Sequence, residues 1–101
     1  MAMKLHFEEP AEIDFYELID HYDSIRGSLG EEFIGTIFNR LDEILLFPAS
    51  QSPISRKVRK VNLGRFPYQL IYQIRQDEIW VLAIWHNKRK PGSWKKRKKK
   101  P

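Results

Sequence analysis

The stretch that decides the fold is FPYQLIYQI, Phe66 to Ile74, followed after a short polar break by IWVLAIWH, Ile79 to His86. From Tyr68 to Arg75 the residues Tyr68, Leu70, Tyr72 and Ile74 fall on one side of a period of two, the signature of a strand with one face on a core. Gln76 and Asp77 are short and polar enough to make a tight connection, so the two runs read as an antiparallel pair. In the second run Ile79 through Trp85 are apolar without alternation, as in a central strand covered on both faces.

Working backwards, Arg56 to Leu63 reads as a further, basic strand after a loop rich in Ser, Pro and Gln. The chain before that loop is helical. Ala11, Phe15, Leu18, Ile19 and Tyr22 form one apolar stripe at helical spacing. Pro10 suits a first turn, Glu8, Glu9, Glu12 and Asp14 suit the positive end of the helix dipole, and Gly27 is placed to end the helix. Ser28 with Glu31 matches a capping box for a second helix carrying Phe33, Ile37, Leu41 and Ile44, which stops near Phe47 because Pro48 follows. Lys4 to Phe7 alternates as a short opening strand. The predicted fold is therefore α+β: an N-terminal strand, then an antiparallel two-helix hairpin on one face of a mainly antiparallel sheet of three to four strands. Because helices cover one face only, the other is expected to offer a partner groove lined by residues such as Ile71.

With 101 residues there is room for one core, drawn here as a domain over 1–94, and for a flexible polybasic tail over 95–101. No cysteine is present, which removes disulfides and thiolate chemistry and fits a reducing, cytoplasmic setting. No apolar run reaches the roughly 20 residues of a membrane span. Charge is divided sharply: residues 1–50 hold 3 Lys/Arg against 11 Asp/Glu, and residues 51–101 hold 15 against 2. Such a field steers association with a polyanion or an acidic protein.

Arg56, Lys57, Arg59, Lys60, Arg65, Lys88, Arg89 and Trp94 are the candidate target or nucleic-acid contacts. Either they neutralise phosphates, or they are a solvated sheet edge whose lysines discourage aggregation. Trp94 lies outside the core pattern and either anchors a partner or folds back on the groove. Lys60, His86 and Arg89 are the candidates for catalysis, since cleavage of RNA at its own 2′-OH needs a proton acceptor, cations and a proton donor. A structural role for His86 is the competing reading. His6 and His21 lack metal-ligand spacing, and neither a metal nor another cofactor is expected.

These residues also carry a resemblance. FPYQLIYQI, IWVLAIWH and KRKPGSW (Lys88 to Trp94), preceded by HYDSI (His21 to Ile25) and LLFP (Leu45 to Pro48), resemble in order and spacing the RelE/ParE superfamily of toxins, over nearly the whole chain up to Trp94. The resemblance implies a growth-inhibiting toxin of a type II toxin–antitoxin system, neutralised by a cognate antitoxin that covers its functional groove. It leaves two targets, DNA gyrase or the ribosome with its messenger RNA. Of the cations used by ribosome-dependent endoribonucleases, Lys60 and Arg89 match, whereas Asn62 and Gln69 stand at two further cationic positions and Trp94 lies near the place of a tyrosine. FPY together with His86 and RKP (Arg89 to Pro91) is more similar to the ParE branch, which implies gyrase inhibition. The alternatives are an mRNA endoribonuclease and a non-toxic nucleic-acid-binding module.

Overall fold

The computed structural model describes residues 3–97. Seven elements follow in order: β1 (Lys4–Phe7), α1 (Glu9–Ile25), α2 (Leu29–Leu46), β2 (Ser52–Pro53), β3 (Val58–Asn62), β4 (Tyr68–Arg75) and β5 (Glu78–His86), with a 3₁₀ turn at Ser93–Lys96. The sheet order is β1-β5-β4-β3-β2. All neighbours are antiparallel except β1, which runs parallel to β5. This is the α+β arrangement expected, with one strand more, because two residues of the Ser/Pro/Gln loop pair with Lys60 and Arg59.

The two helices cover one face. Ala11 and Tyr22 of α1 and Phe33, Ile37, Leu41 and Ile44 of α2 are buried against Leu70, Tyr72, Ile79, Val81 and Ile84. That face explains the two helical stripes and the alternation of β4. The continuous apolar run of β5 has a further cause. Ile71 pairs with Ala83 but Tyr72 pairs with Val81, so Leu82 is an extra residue on β5. The bulge reverses the alternation: Ile79, Val81 and Ile84 join the helix-side core, whereas Ala83 and Trp85 join Val58 and Ile71 in a second cluster on the other face.

Two helix boundaries differ from expectation. Arg26, rather than Gly27, takes α1 out of helical geometry, with φ −158° and ψ 130°. The capping box at Ser28 does not form: Ser28 has helical dihedrals and its hydroxyl accepts a hydrogen bond from Arg26. The free amide of Gly30 is instead satisfied by Asp23 of α1, whose Oδ1 lies 3.1 Å away. A side chain of the preceding helix thus does the capping. It can do so because residue 30 is glycine; a Cβ there would lie 2.1 Å from the same oxygen.

The second face is not an empty groove. Gly92 adopts φ 81°, a left-handed conformation suited to glycine, and the chain reverses so that Trp94 packs on the second cluster. Trp94 therefore folds back rather than standing free. The boundary drawn between 94 and 95 falls inside this turn: Lys95 and Lys96 belong to it, and Arg97 pairs with Asp14 at 2.8 Å. The rest of the expected tail, 98–101, lies outside the described residues. No helix among the described residues is long and apolar enough to cross a membrane.

Candidate functional site

The eight predicted contact residues do not form a single patch. Arg65, Lys88 and Arg89, joined there by Lys90, gather at one end of the sheet, where β4 starts and β5 finishes and where the Asn87 amide donates to the Pro67 carbonyl. Arg56 and Lys57 are at the other end, with the Lys57 carbonyl bound by the Ile74 amide. Lys60 lies between them on β3, opposite Ile71 and two residues from Val58, so it shares the second face with both.

Several of these cations are already engaged. Arg59 donates to the Gln51 carbonyl at 2.8 Å. Arg65 pairs with Glu32 and lies over the Phe66 ring. Its hydrogen bond, ahead of other causes, holds the Glu32 carboxyl below the usual carboxylate range. Lys60 and Arg89, in contrast, have no carboxylate partner among the described residues. Arg89 is exposed and rests on the face of Trp85, 3.7 Å from the ring centroid, a cation–π contact that orients the side chain while leaving its charge unpaired.

The three catalytic candidates separate in space. Lys60 stands on the second face. His86 pairs with Tyr68 across the ladder on the helix side, ring to ring at 4.9 Å. It lines a cleft of about 290 Å³ with Asp14, Glu17, His21, Tyr68 and Arg89. Its Nδ1 accepts the Lys88 amide at 3.0 Å. Burial pushes the Tyr68 hydroxyl above its ordinary pKa, so it stays protonated at neutral pH. Arg89 alone reaches both settings, lying over Trp85 of the second face and lining the cleft of His86.

Around Lys60 the second face is neutral. Asn62, two residues along the same strand, is paired with Gln69, so the two amides sit side by side next to the lysine. No group of three or more potential metal ligands is assembled among the described residues.

A family model described as the ParE toxin of type II toxin–antitoxin systems, parDE, matches residues 5–91. The chain belongs to the ParE toxin family. Membership makes it a type II toxin of RelE/ParE kind and implies a cognate antitoxin as its partner. The fold agrees with solved relatives. A chain of the chromosomal ParDE system of P. aeruginosa superposes with a TM-score of 0.71 at 21% identity, covering 84% of this chain and 96% of that one. A mutant of the E. coli toxin RelE in the free state superposes with a TM-score of 0.66 at 22% identity, covering 87% and 86%. No curated protein matches the chain significantly.

Sequence reasoning missed two residues at this site. Asp14 was assigned only to the helix dipole, yet its carboxylate accepts the Ile84 amide at 3.0 Å and both its oxygens bind Arg97. Arg97 was counted as one charge in a solvated run. The signal available was its being the single arginine among the lysines of 95–100, since a planar guanidinium can hold a carboxylate with one nitrogen while the other reaches a backbone carbonyl, as Nη1 and Nη2 of Arg97 do with Asp14 and Leu82.

Proposed function

We propose that this ParE-family toxin acts by binding, as an inhibitor of DNA gyrase, and that Arg89 and Lys60 are contacts for the target rather than catalysts. The position of His86 carries the reading. Cleavage of RNA needs an acceptor for the 2′-OH proton close to the cations that stabilise the phosphorane. His86 is on the opposite face of the sheet from Lys60. With its Nδ1 accepting the Lys88 amide, the lone pair of a neutral imidazole is engaged with the backbone and faces away from Lys60. Tyr68 beside it is held protonated by burial. The neutral pair Asn62 and Gln69 adds no second cation next to Lys60.

A binding toxin needs only accessible, unpaired charge on a rigid frame, and that is the state of Arg89 and Lys60. Lys88 and Lys90 add to the attraction of the same end of the sheet for a polyanion. In this reading the antitoxin neutralises the toxin by covering Arg89.

Controlled expression in a bacterium tests the proposal. The expected outcome is broken DNA and an SOS response while protein synthesis continues at first, with both effects lost in Arg89→Ala. Early arrest of translation with cut messages and intact DNA would instead establish the ribonuclease reading.

A further inference from the structure

Trp85 is the innermost aromatic side chain of the second face, 1% exposed. Two guanidinium groups lie against its indole, that of Arg89 at 3.7 Å from the ring centroid and that of Arg97 at 5.1 Å. Two like charges against one ring repel each other, and a counter-charge on either one offsets that repulsion. Asp14 supplies it. Both of its oxygens accept from Nη1 of Arg97, at 2.8 and 3.0 Å, and the two side chains are only 16% and 23% exposed.

The pair is also tied to the backbone of β5. β1 covers β5 only as far as Val81, paired with Phe7. Beyond that point the edge of β5 would be open. There Arg97 Nη2 donates to the Leu82 carbonyl at 3.2 Å, and Asp14 Oδ2 accepts the Ile84 amide at 3.0 Å. The carboxylate and the guanidinium together close this edge and fix where Arg97 sits over Trp85. The loop carrying Arg89 is tied to the same indole: the Lys90 carbonyl accepts from Trp85 Nε1 and from the Ser93 hydroxyl.

We propose that Asp14 is a positioning residue for Arg89. By neutralising Arg97 and pinning it to β5, it sets the second guanidinium against the Trp85 indole and leaves Arg89 held on that ring with its own charge unpaired. The functional consequence rests on the reading of Arg89 as a target contact; the positioning rests on the geometry alone.

The test uses the full chain, isotopically labelled, with two variants that remove the same pair from either side, Asp14→Asn and Arg97→Gln. Asparagine can still accept the Ile84 amide, and Arg97 lies near the chain end, so loss of folding in one variant leaves the other to read. In nuclear magnetic resonance spectra the Arg89 Nε–H signal is expected to move in both variants, losing the ring-current shift that Trp85 imposes. Inhibition of gyrase is expected to fall at least tenfold in each, with the double variant no weaker than the singles. Arg97→Lys, which can keep an ion pair with Asp14, is expected to recover part of the loss.

An unmoved Arg89 signal in the folded variants overturns the positioning role. So does a moved signal with inhibition unchanged from an active wild type. If the signal moves but the wild-type chain itself fails to inhibit gyrase, the positioning stands and the proposed target falls.

Discussion

The two faces of the sheet are closed in different ways. The helix side is closed mainly by apolar burial: Ala11, Phe33, Ile37, Ile44, Leu70, Tyr72, Ile79 and Val81 are fully buried there, drawn from both helices and two strands. The second side has four buried residues, Val58, Ile71, Ala83 and Trp85, and its cover is a short C-terminal turn held by Trp94 and the Asp14–Arg97 pair. Hydrophobic burial over many residues makes the first face the stable frame. A cover held by one partly buried tryptophan and one ion pair can be altered without unfolding the protein, and Arg89 is mounted beside it.

If that contrast is right, truncation should cost very different amounts on the two sides. Phe33→Ala is expected to lose about 3–5 kcal/mol of unfolding free energy in chemical denaturation, the range for a fully buried aromatic. Trp94→Ala, by comparison, should cost about 1–2 kcal/mol, because its side chain is only partly buried. Equal losses would mean that the second face is as much a part of the core as the first.

Tyr72 sharpens the comparison from the helix side. It is fully buried and donates to the Pro48 carbonyl at 2.6 Å; Tyr72→Phe should cost about 1 kcal/mol. Burial raises its pKa from 10.0 to about 12. The unfolded chain then releases the proton first as pH rises. Stability is fully present below pH 10.0 and is lost as pH climbs towards about 12. Burial shifts Tyr22 and Tyr68 in the same direction. Denaturation at a series of alkaline pH values should show the fall, shallower in Tyr72→Phe than in the wild type.

The smallest effect expected is at the start of α2. Gly30→Ala would ordinarily gain up to ~1 kcal/mol within a helix. Here the new Cβ displaces the Asp23 carboxylate that caps the helix, so a net loss of about 0.5–1 kcal/mol is expected. Thermal melting of Gly30→Ala and Asp23→Ala checks this, and a stabilised Gly30→Ala would show that the cap contributes little.

How much of this could be read in the sequence follows from the range of the interactions. The strands from Tyr68 to Arg75 and from Glu78 to His86, and both helical stripes, are local patterns of period two or 3.6, and they were legible. The bulge at Leu82 was not, because it is a property of the pairing between two strands and leaves only an apolar run without alternation. Asp23 as a cap was hidden because the motif anticipated at Ser28 and Glu31 looks within one helix, whereas the donor and acceptor belong to two. Arg97 and Asp14 are 83 residues apart, and a run of cations gives no local sign of which one will be pinned. Of the candidate site, Arg89 and Lys60 were picked out by their place in the order of motifs, and both are exposed on the folded chain. That His86 would stand on the other face from Lys60 depended on the bulge, and so could not be foreseen.

The most direct measurement is a cleavage assay with purified gyrase, supercoiled plasmid and the purified toxin, wild type and Arg89→Ala. The account predicts that the wild type traps gyrase on broken DNA and that Arg89→Ala, equally folded, does so at least tenfold less well. A wild-type toxin that leaves gyrase and DNA untouched while cutting messenger RNA in a purified translation mixture would contradict it.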